Sequence, residues 1–296
     1  MTELSSRTFR AMGTQIVTVA PGSTPAYSLT RASDRVRSIF AREERRFSRF
    51  REDSELTRVN AASGRWTSVT LGFERLVRFA LSQAARTGGL FDPTVLHAMI
   101  AAGYDRDLDE VLAGARGALH PPQPCGRWEE VAFRPGALRL PAGVGLDLGG
   151  IAKGWTADLA AEAAVDAGLP WALVSAGGDL RIVGDATGIE VAIEDPWDAT
   201  EEVTRVLLTS GALASSSTTR RAWGPGLHHV IDPRTGAPSD AATLQATVWA
   251  PTCAEAETLA TWAILTGPDA LDTVPGAIAT TDGNLFVNLA TSEVAA

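Results

Sequence analysis

From residue 171 onward, strand signals recur with turn residues between them: WALVSAG, DLRIVG, IEVAIED, VTRVLLTSG, HHVID and TLQATVWAP. Short runs rich in apolar and β-branched residues, bounded by turns, are the signature of strands laid on a core. Strict alternation of strand and helix is absent, which argues against a doubly wound parallel sheet. Helical periodicity is concentrated elsewhere. It covers Ala26 to Phe47, then GFERLVRFALSQAARTGG with Gly88 and Gly89 as the stop signal, and a short helix after the Asp92-Pro93 turn. Two more helices are expected, from about Ile151 to Gly168 and over AEAETLATWAIL. TQIVTVA is an early strand, EEVAFRPGALRLPAGVGLDLGG a pair of strands, and AIATTDGNLFVN a final pair. The expected class is α+β, with mostly antiparallel sheets and segregated helices, in a single domain over residues 1–296.

Composition narrows the function. The chain of 296 residues has a net charge of -9, against the basic face that general nucleic-acid binding requires. No apolar run approaches the ~20 residues of a membrane span. The N-terminal stretch MTELSSRTFRAMGT has no secretory pattern, and Cys125 and Cys253 match no zinc or redox spacing. A reduced, cytoplasmic setting is the expectation.

Four stretches carry chemistry. In GVGLDLGGIAKGWTAD, Gly149 and Gly150 strip side chains from the junction leading into a helix, where backbone N–H groups can approach an anion, and Lys153 adds charge one turn in. The stretch is neither a Walker A loop nor a dinucleotide fingerprint, and a plain turn with an exposed lysine is the competing account. In CAEAETLATWAILTG, Glu257 and Thr261 are four apart on one helical face, as two oxygen ligands for Mg²⁺ or as a back-bonded threonine under a surface glutamate. In HHVIDPRTGAP, His229 is either a general base near a phosphate or a half-buried strand histidine, with His228 on the opposite face. Asp92 and Asp179, beside turns, either hydrogen-bond a ligand or stabilise those turns.

Taken in order, FRAMGT, FSRFREDSELTRVN, TGGLFDPTV, LDLGGIAKGWTAD, AGGDL, HHVIDPRTGAP and AEAETLATWAILTG resemble the ApbE-like FAD:protein FMN transferases over nearly the whole chain. The resemblance implies a T-fold-related architecture. It implies a Mg²⁺-dependent reaction that moves the FMN half of FAD to a threonine hydroxyl of an acceptor protein carrying a Ser/Thr motif, with release of AMP. It implies metal ligation by the Gly150 carbonyl, Glu257 and Thr261. Lys153 and Asp147 would contact FAD, Met12, Phe50, Leu90, Phe91 and Asp92 would line its ring pockets, and His229 would help to activate the hydroxyl. Three departures stand out. Glu257 replaces the family's usual aspartate, reaching about 1.5 Å further. The usual TSG block is LASSSTTRR, with Arg220 and Arg221 facing either phosphate or solvent. No leader like that of exported relatives is expected. Two other functions are compatible: FAD hydrolysis to FMN and AMP, with Asn60 a candidate for the difference, and FAD binding without catalysis.

Overall fold

The computed structural model describes residues 3–114, 117–198 and 200–289. They fall into two compact units, each assembled from separated stretches of chain. Of the described residues, the first comprises those from 3 to 42, from 153 to 217 and from 242 to 289, and the second those from 43 to 152 and from 218 to 241.

The first unit is built on one eight-stranded sheet. Its strands are Leu4–Ala11, Thr14–Pro21, Trp171–Ala176, Asp179–Gly184, Gly211–Ser217, Thr243–Ala250, Gly276–Thr280 and Leu285–Val287, side by side in chain order. Every neighbouring pair is antiparallel. Two strands escape a pattern-based reading. Leu4–Ala11 is a sheet edge whose side chains are mostly exposed, so its residues are polar. Gly211–Ser217 packs both faces, but with alanines and serines in place of β-branched residues.

The reason for those small residues is what covers the sheet. On one face Leu213 joins Trp171, Leu173, Leu180 and Ile182 against Ile189, Ile193, Val206 and Leu208 of the Ile189–Glu194/Glu202–Leu208 hairpin. On the other, Ser216 touches Thr261, so the alternate residues Ala212 and Ala214 lie beneath a helix. That helix, Cys253–Thr266, is buried on nearly every side, which explains its lack of a polar stripe.

The helices, numbered along the chain, are α1 (Ala26–Phe47), α2 (Glu55–Ala61), α3 (Leu71–Arg86), α4 (Leu96–Ala101), α5 (Leu108–Leu112), α6 (Ala152–Asp166) and α7 (Cys253–Thr266). α2 begins at the N-cap Ser54, whose hydroxyl accepts from the Thr57 N–H at 2.9 Å. α3 stops where expected, with Gly88 and Gly89 both at positive φ after it.

In the second unit, α2 to α5 accompany a small sheet ordered Thr67–Ser68, Ala137–Arg139, Ala132–Arg134. The run from Val144 to Leu148 was expected to be strand and belongs to no sheet. Its backbone is satisfied another way. Asn60 Nδ2 donates to the Leu146 carbonyl at 2.9 Å and Asn60 Oδ1 accepts from the Leu146 N–H at 2.8 Å. One carboxamide thus replaces a neighbouring strand, which frees the segment from a ladder but fixes its register. HHVID is likewise not one strand: Leu227–His228 and Ile231–Asp232 pair with different partners, and His229 lies between them.

Candidate active site

In the first unit, α6 opens against the start of α7. A Cβ at Gly154 would lie 2.5 Å from the Cys253 carbonyl oxygen, so glycine sets how closely the two helices meet. Asp158, one turn further along α6, accepts from the Cys253 and Ala254 N–H groups at 2.8 and 3.0 Å, adding to the N-cap Thr252, whose hydroxyl accepts from the Glu255 N–H at 3.3 Å. Burial pushes the Asp158 carboxyl up to about 6, even though both backbone donors and Arg181 favour its charge.

This approach brings Lys153 to Glu257. The Lys153 ammonium forms an ion pair with Glu257 Oε1 and lies 3.0 Å from Asp179 Oδ2. Glu257 Oε2 accepts from the Gly154 N–H at 2.8 Å. All three side chains are buried. Two carboxylates around one ammonium leave an excess negative charge there. Burial first, and Asp179 second, raise the Glu257 pKa above the ordinary carboxylate range, while Lys153 opposes them. Lys153 is therefore no exposed lysine, and Glu257 is no surface glutamate.

Thr261 lies one turn along α7 from Glu257. Its hydroxyl donates to the Glu257 carbonyl at 3.3 Å, the back-bonded geometry, and meets Ser216 Oγ at 3.2 Å. With Ser216 as donor, one lone pair of Thr261 Oγ1 remains. Each Glu257 oxygen, with one partner assigned, also keeps acceptor capacity. These are hard oxygen donors beside an uncompensated negative charge, and in kind they fit a small divalent cation. Among the described residues no group of three or more His, Cys, Asp or Glu could hold a metal ion. Any ion here therefore depends on hydroxyl and backbone oxygens in addition to carboxylate.

Met12, also in the first unit, occupies the two-residue turn between the first two strands with φ 50°, followed by Gly13 at φ 69°. Such a turn favours Asn-Gly, and a methionine there carries backbone strain.

In the second unit, Asp147 Oδ1 accepts from the Gly149 N–H at 2.7 Å, and Oδ2 lies 2.8 Å from Arg49 Nε. The aspartate thus shapes the glycine bend that leads to Gly150. Phe50, exposed at 39%, stands beside Tyr104, with ring centroids 5.7 Å apart. Phe91 is buried and Leu90 half-buried. Asp92 accepts from the Thr94 N–H and Oγ1 at 2.7 and 2.6 Å through one oxygen, and from the Gly126 N–H at 2.7 Å through the other. Those bonds are the turn-stabilising alternative, and burial raises its pKa. His228 is the buried histidine: Nδ1 accepts from the Val230 N–H, so Nε2 donates to the Ser239 carbonyl at 3.0 Å, a neutral tautomer in keeping with its lowered pKa. His229 is half-buried, as alternation from His228 requires. Two residues were not foreseen as site members: Arg49, and Asp179 as a partner of Lys153. The second carries no local signal, because its partner comes from another stretch of chain.

The model of the ApbE family matches residues 12–277. The chain belongs to the ApbE family. Three curated FAD:protein FMN transferases are similar to this ApbE chain. The protein of Rhodobacter capsulatus is 32% identical over 206 residues, 62% of this chain and 37% of that one. That of Treponema pallidum is 28% identical, covering 82% of this chain and 73% of the relative. That of Klebsiella pneumoniae is 29% identical, covering 77% and 69%. Among solved structures, the ApbE protein of Thermotoga maritima superposes with a TM-score of 0.82 at 23% identity, over 97% of each chain. The flavin transferase ApbE of Vibrio cholerae gives 0.77 at 22% identity, over 98% of this chain and 99% of that one. The ApbE-like α+β fold, with its large antiparallel sheet, is therefore established for this chain. No helix among the described residues is long and apolar enough to cross a membrane.

Proposed function

We propose that this ApbE chain is a Mg²⁺-dependent FAD:protein FMN transferase working as one domain. It moves FMN from FAD to a threonine hydroxyl of an acceptor protein. The observation that carries this reading is the buried Lys153 held between Asp179 and Glu257, with Thr261 one turn away. By itself this cluster carries excess negative charge; with a divalent cation added its net charge would become positive, which suits a phosphate-bearing substrate, because phosphoryl transfer is catalysed mainly by positioning and charge neutralisation.

The roles follow from the chemistry of each group. Glu257 and Thr261 hold the metal through side-chain oxygens, and Gly150 through its carbonyl. When bound, the ion neutralises charge developing on the phosphate oxygens. Lys153 faces the diphosphate. Asp147, Met12, Phe50, Leu90, Phe91 and Asp92 position FAD, the apolar ones by packing on its flat rings. The acceptor hydroxyl attacks the phosphorus of the FMN half. The new P–O bond forms as the bond to the AMP phosphate breaks, AMP departs with the bridging oxygen, and His229 takes the hydroxyl proton.

The test is mass spectrometry of a candidate acceptor peptide after incubation with FAD and Mg²⁺. A mass gain of one FMN on one threonine, with AMP in equal amount, is the expected result. AMP and FMN formed equally without acceptor would replace transfer by hydrolysis. A yellow protein that makes no AMP would reduce the chain to an FAD-binding module.

A further inference from the structure

Arg49 follows α1 and precedes α2 in the second unit. Its side chain is 9% exposed. The guanidinium carbon sits 4.2 Å over the Phe50 ring and 4.4 Å over the Tyr104 ring, and Tyr104 in turn lies 5.0 Å from Trp223 at 34°. Two adjacent aromatic rings thus pack against the guanidinium. Its polar edge is not fully paired. Nε lies within ion-pair distance of Asp147 Oδ2, but the N–H is not aligned on that oxygen. Arg49 Nη2 and Asp147 Oδ2 are both buried with no hydrogen-bond partner. An unmet donor and an unmet acceptor side by side are expensive to bury, and each invites an external partner.

The pairing specifies that partner. A lone arginine edge would suit phosphate, but the Asp147 carboxylate beside it repels an anion. The complement of a donor next to an acceptor is a neutral edge that offers an acceptor next to a donor. A planar nitrogen heterocycle has such an edge, and the half-exposed Phe50 beside the pair offers an aromatic face for it.

We infer that Arg49 and Asp147 together recognise the hydrogen-bonding edge of a heterocycle in the bound dinucleotide. Arg49 Nη2 donates to a ring carbonyl or ring nitrogen, and Asp147 Oδ2 accepts from the adjacent N–H. The inference rests on the FAD reading above and adds Arg49 to it as a substrate contact. Both rings of FAD present an edge of this kind, the imide of the isoalloxazine and the aminopyrimidine of adenine.

The experiment measures dissociation constants of FAD, FMN, ADP and inorganic pyrophosphate for the full chain, by flavin fluorescence and calorimetry. The proteins compared are wild type, Arg49→Met and Arg49→Lys. Arg49→Met keeps the bulk and loses the donors. Arg49→Lys keeps the charge and so protects against misfolding, but cannot present a planar edge. FAD binding is expected to weaken about tenfold or more in Arg49→Met, and to weaken in Arg49→Lys as well. A parallel loss for FMN with ADP unchanged assigns the isoalloxazine edge, and loss for ADP with FMN unchanged assigns adenine. Unchanged FAD affinity in a folded variant would overturn the inference, as would an equal loss for FMN, ADP and pyrophosphate, which marks a phosphate contact. Arg49-dependent binding by a wild type that transfers no FMN would leave this inference standing and defeat the transferase reading alone.

Discussion

Gly154→Ala tests the geometry on which the cluster depends. The added Cβ would sit 2.5 Å from the Cys253 carbonyl oxygen, 2.6 Å from its carbonyl carbon and 2.8 Å from the Ala254 nitrogen, all backbone atoms. Relaxed carbon contacts lie at about 3.5–4.0 Å, so α6 and α7 would have to part by roughly 1 Å. Alanine would return about 1 kcal/mol of helix propensity. Overpacking would cost about 1–3 kcal/mol. The same displacement would also stretch two sets of hydrogen bonds. Glu257 Oε2 accepts from the Gly154 N–H itself, and Asp158 accepts from the first two N–H groups of α7. Bonds to charged acceptors contribute about 1.5–3 kcal/mol each, so weakening even one turns the balance negative. A net loss of about 2 kcal/mol, or roughly 3 °C in Tm for a chain of this length, is expected. Thermal denaturation followed by circular dichroism, with FAD affinity measured alongside, reads both consequences. A variant as stable as wild type, binding FAD equally well, would refute the claim that this close approach sets the cluster.

Three further outcomes follow from the same unit. Removing the ammonium with Lys153→Met leaves Asp179 and Glu257 facing each other; Tm should fall, and added Mg²⁺ should raise it more than in wild type, whereas equal Mg²⁺ responses would contradict an excess charge at this point. For Asp158, a folded pKa of about 6 against the ordinary 3.8 means stability that is full below about pH 4 and is lost as pH rises through 6, about 3 kcal/mol in all. The difference in Tm between wild type and Asp158→Asn should therefore change across that window and be flat above it. Met12→Gly should relieve the φ 50° turn and raise Tm by a few degrees while weakening FAD binding; a loss of stability would show that the methionine is not strained.

How much of this was legible in the sequence depended on how local the cause was. α7 and the strand Trp171–Ala176 announced themselves through their runs of apolar residues, because burial on nearly every side leaves that imprint. Glu257 and Thr261 were placed on one face correctly, since helical spacing alone determines it. Val144–Leu148 looked like strand because it is buried and apolar, but the partner satisfying Leu146 is the side chain of Asn60, 86 residues away. Asp179 next to Lys153 and Arg49 next to Asp147 had no local pattern either. Long-range pairs of charged residues become visible only once the chain is folded.

The larger part of the second unit, residues 43–152, is inserted between the second and third strands of the large sheet. Thr14–Pro21 and Trp171–Ala176 are neighbours in the sheet, yet about 150 residues of chain lie between them. Drawing together the ends of so long a flexible loop carries an entropic penalty of several kcal/mol. That penalty shrinks if the intervening stretch has already collapsed into its own body. Refolding should therefore be sequential, with amides of the inserted stretch protected from hydrogen exchange before those joining Val17 to Ser175. Simultaneous protection of both would mean that the whole chain condenses at once.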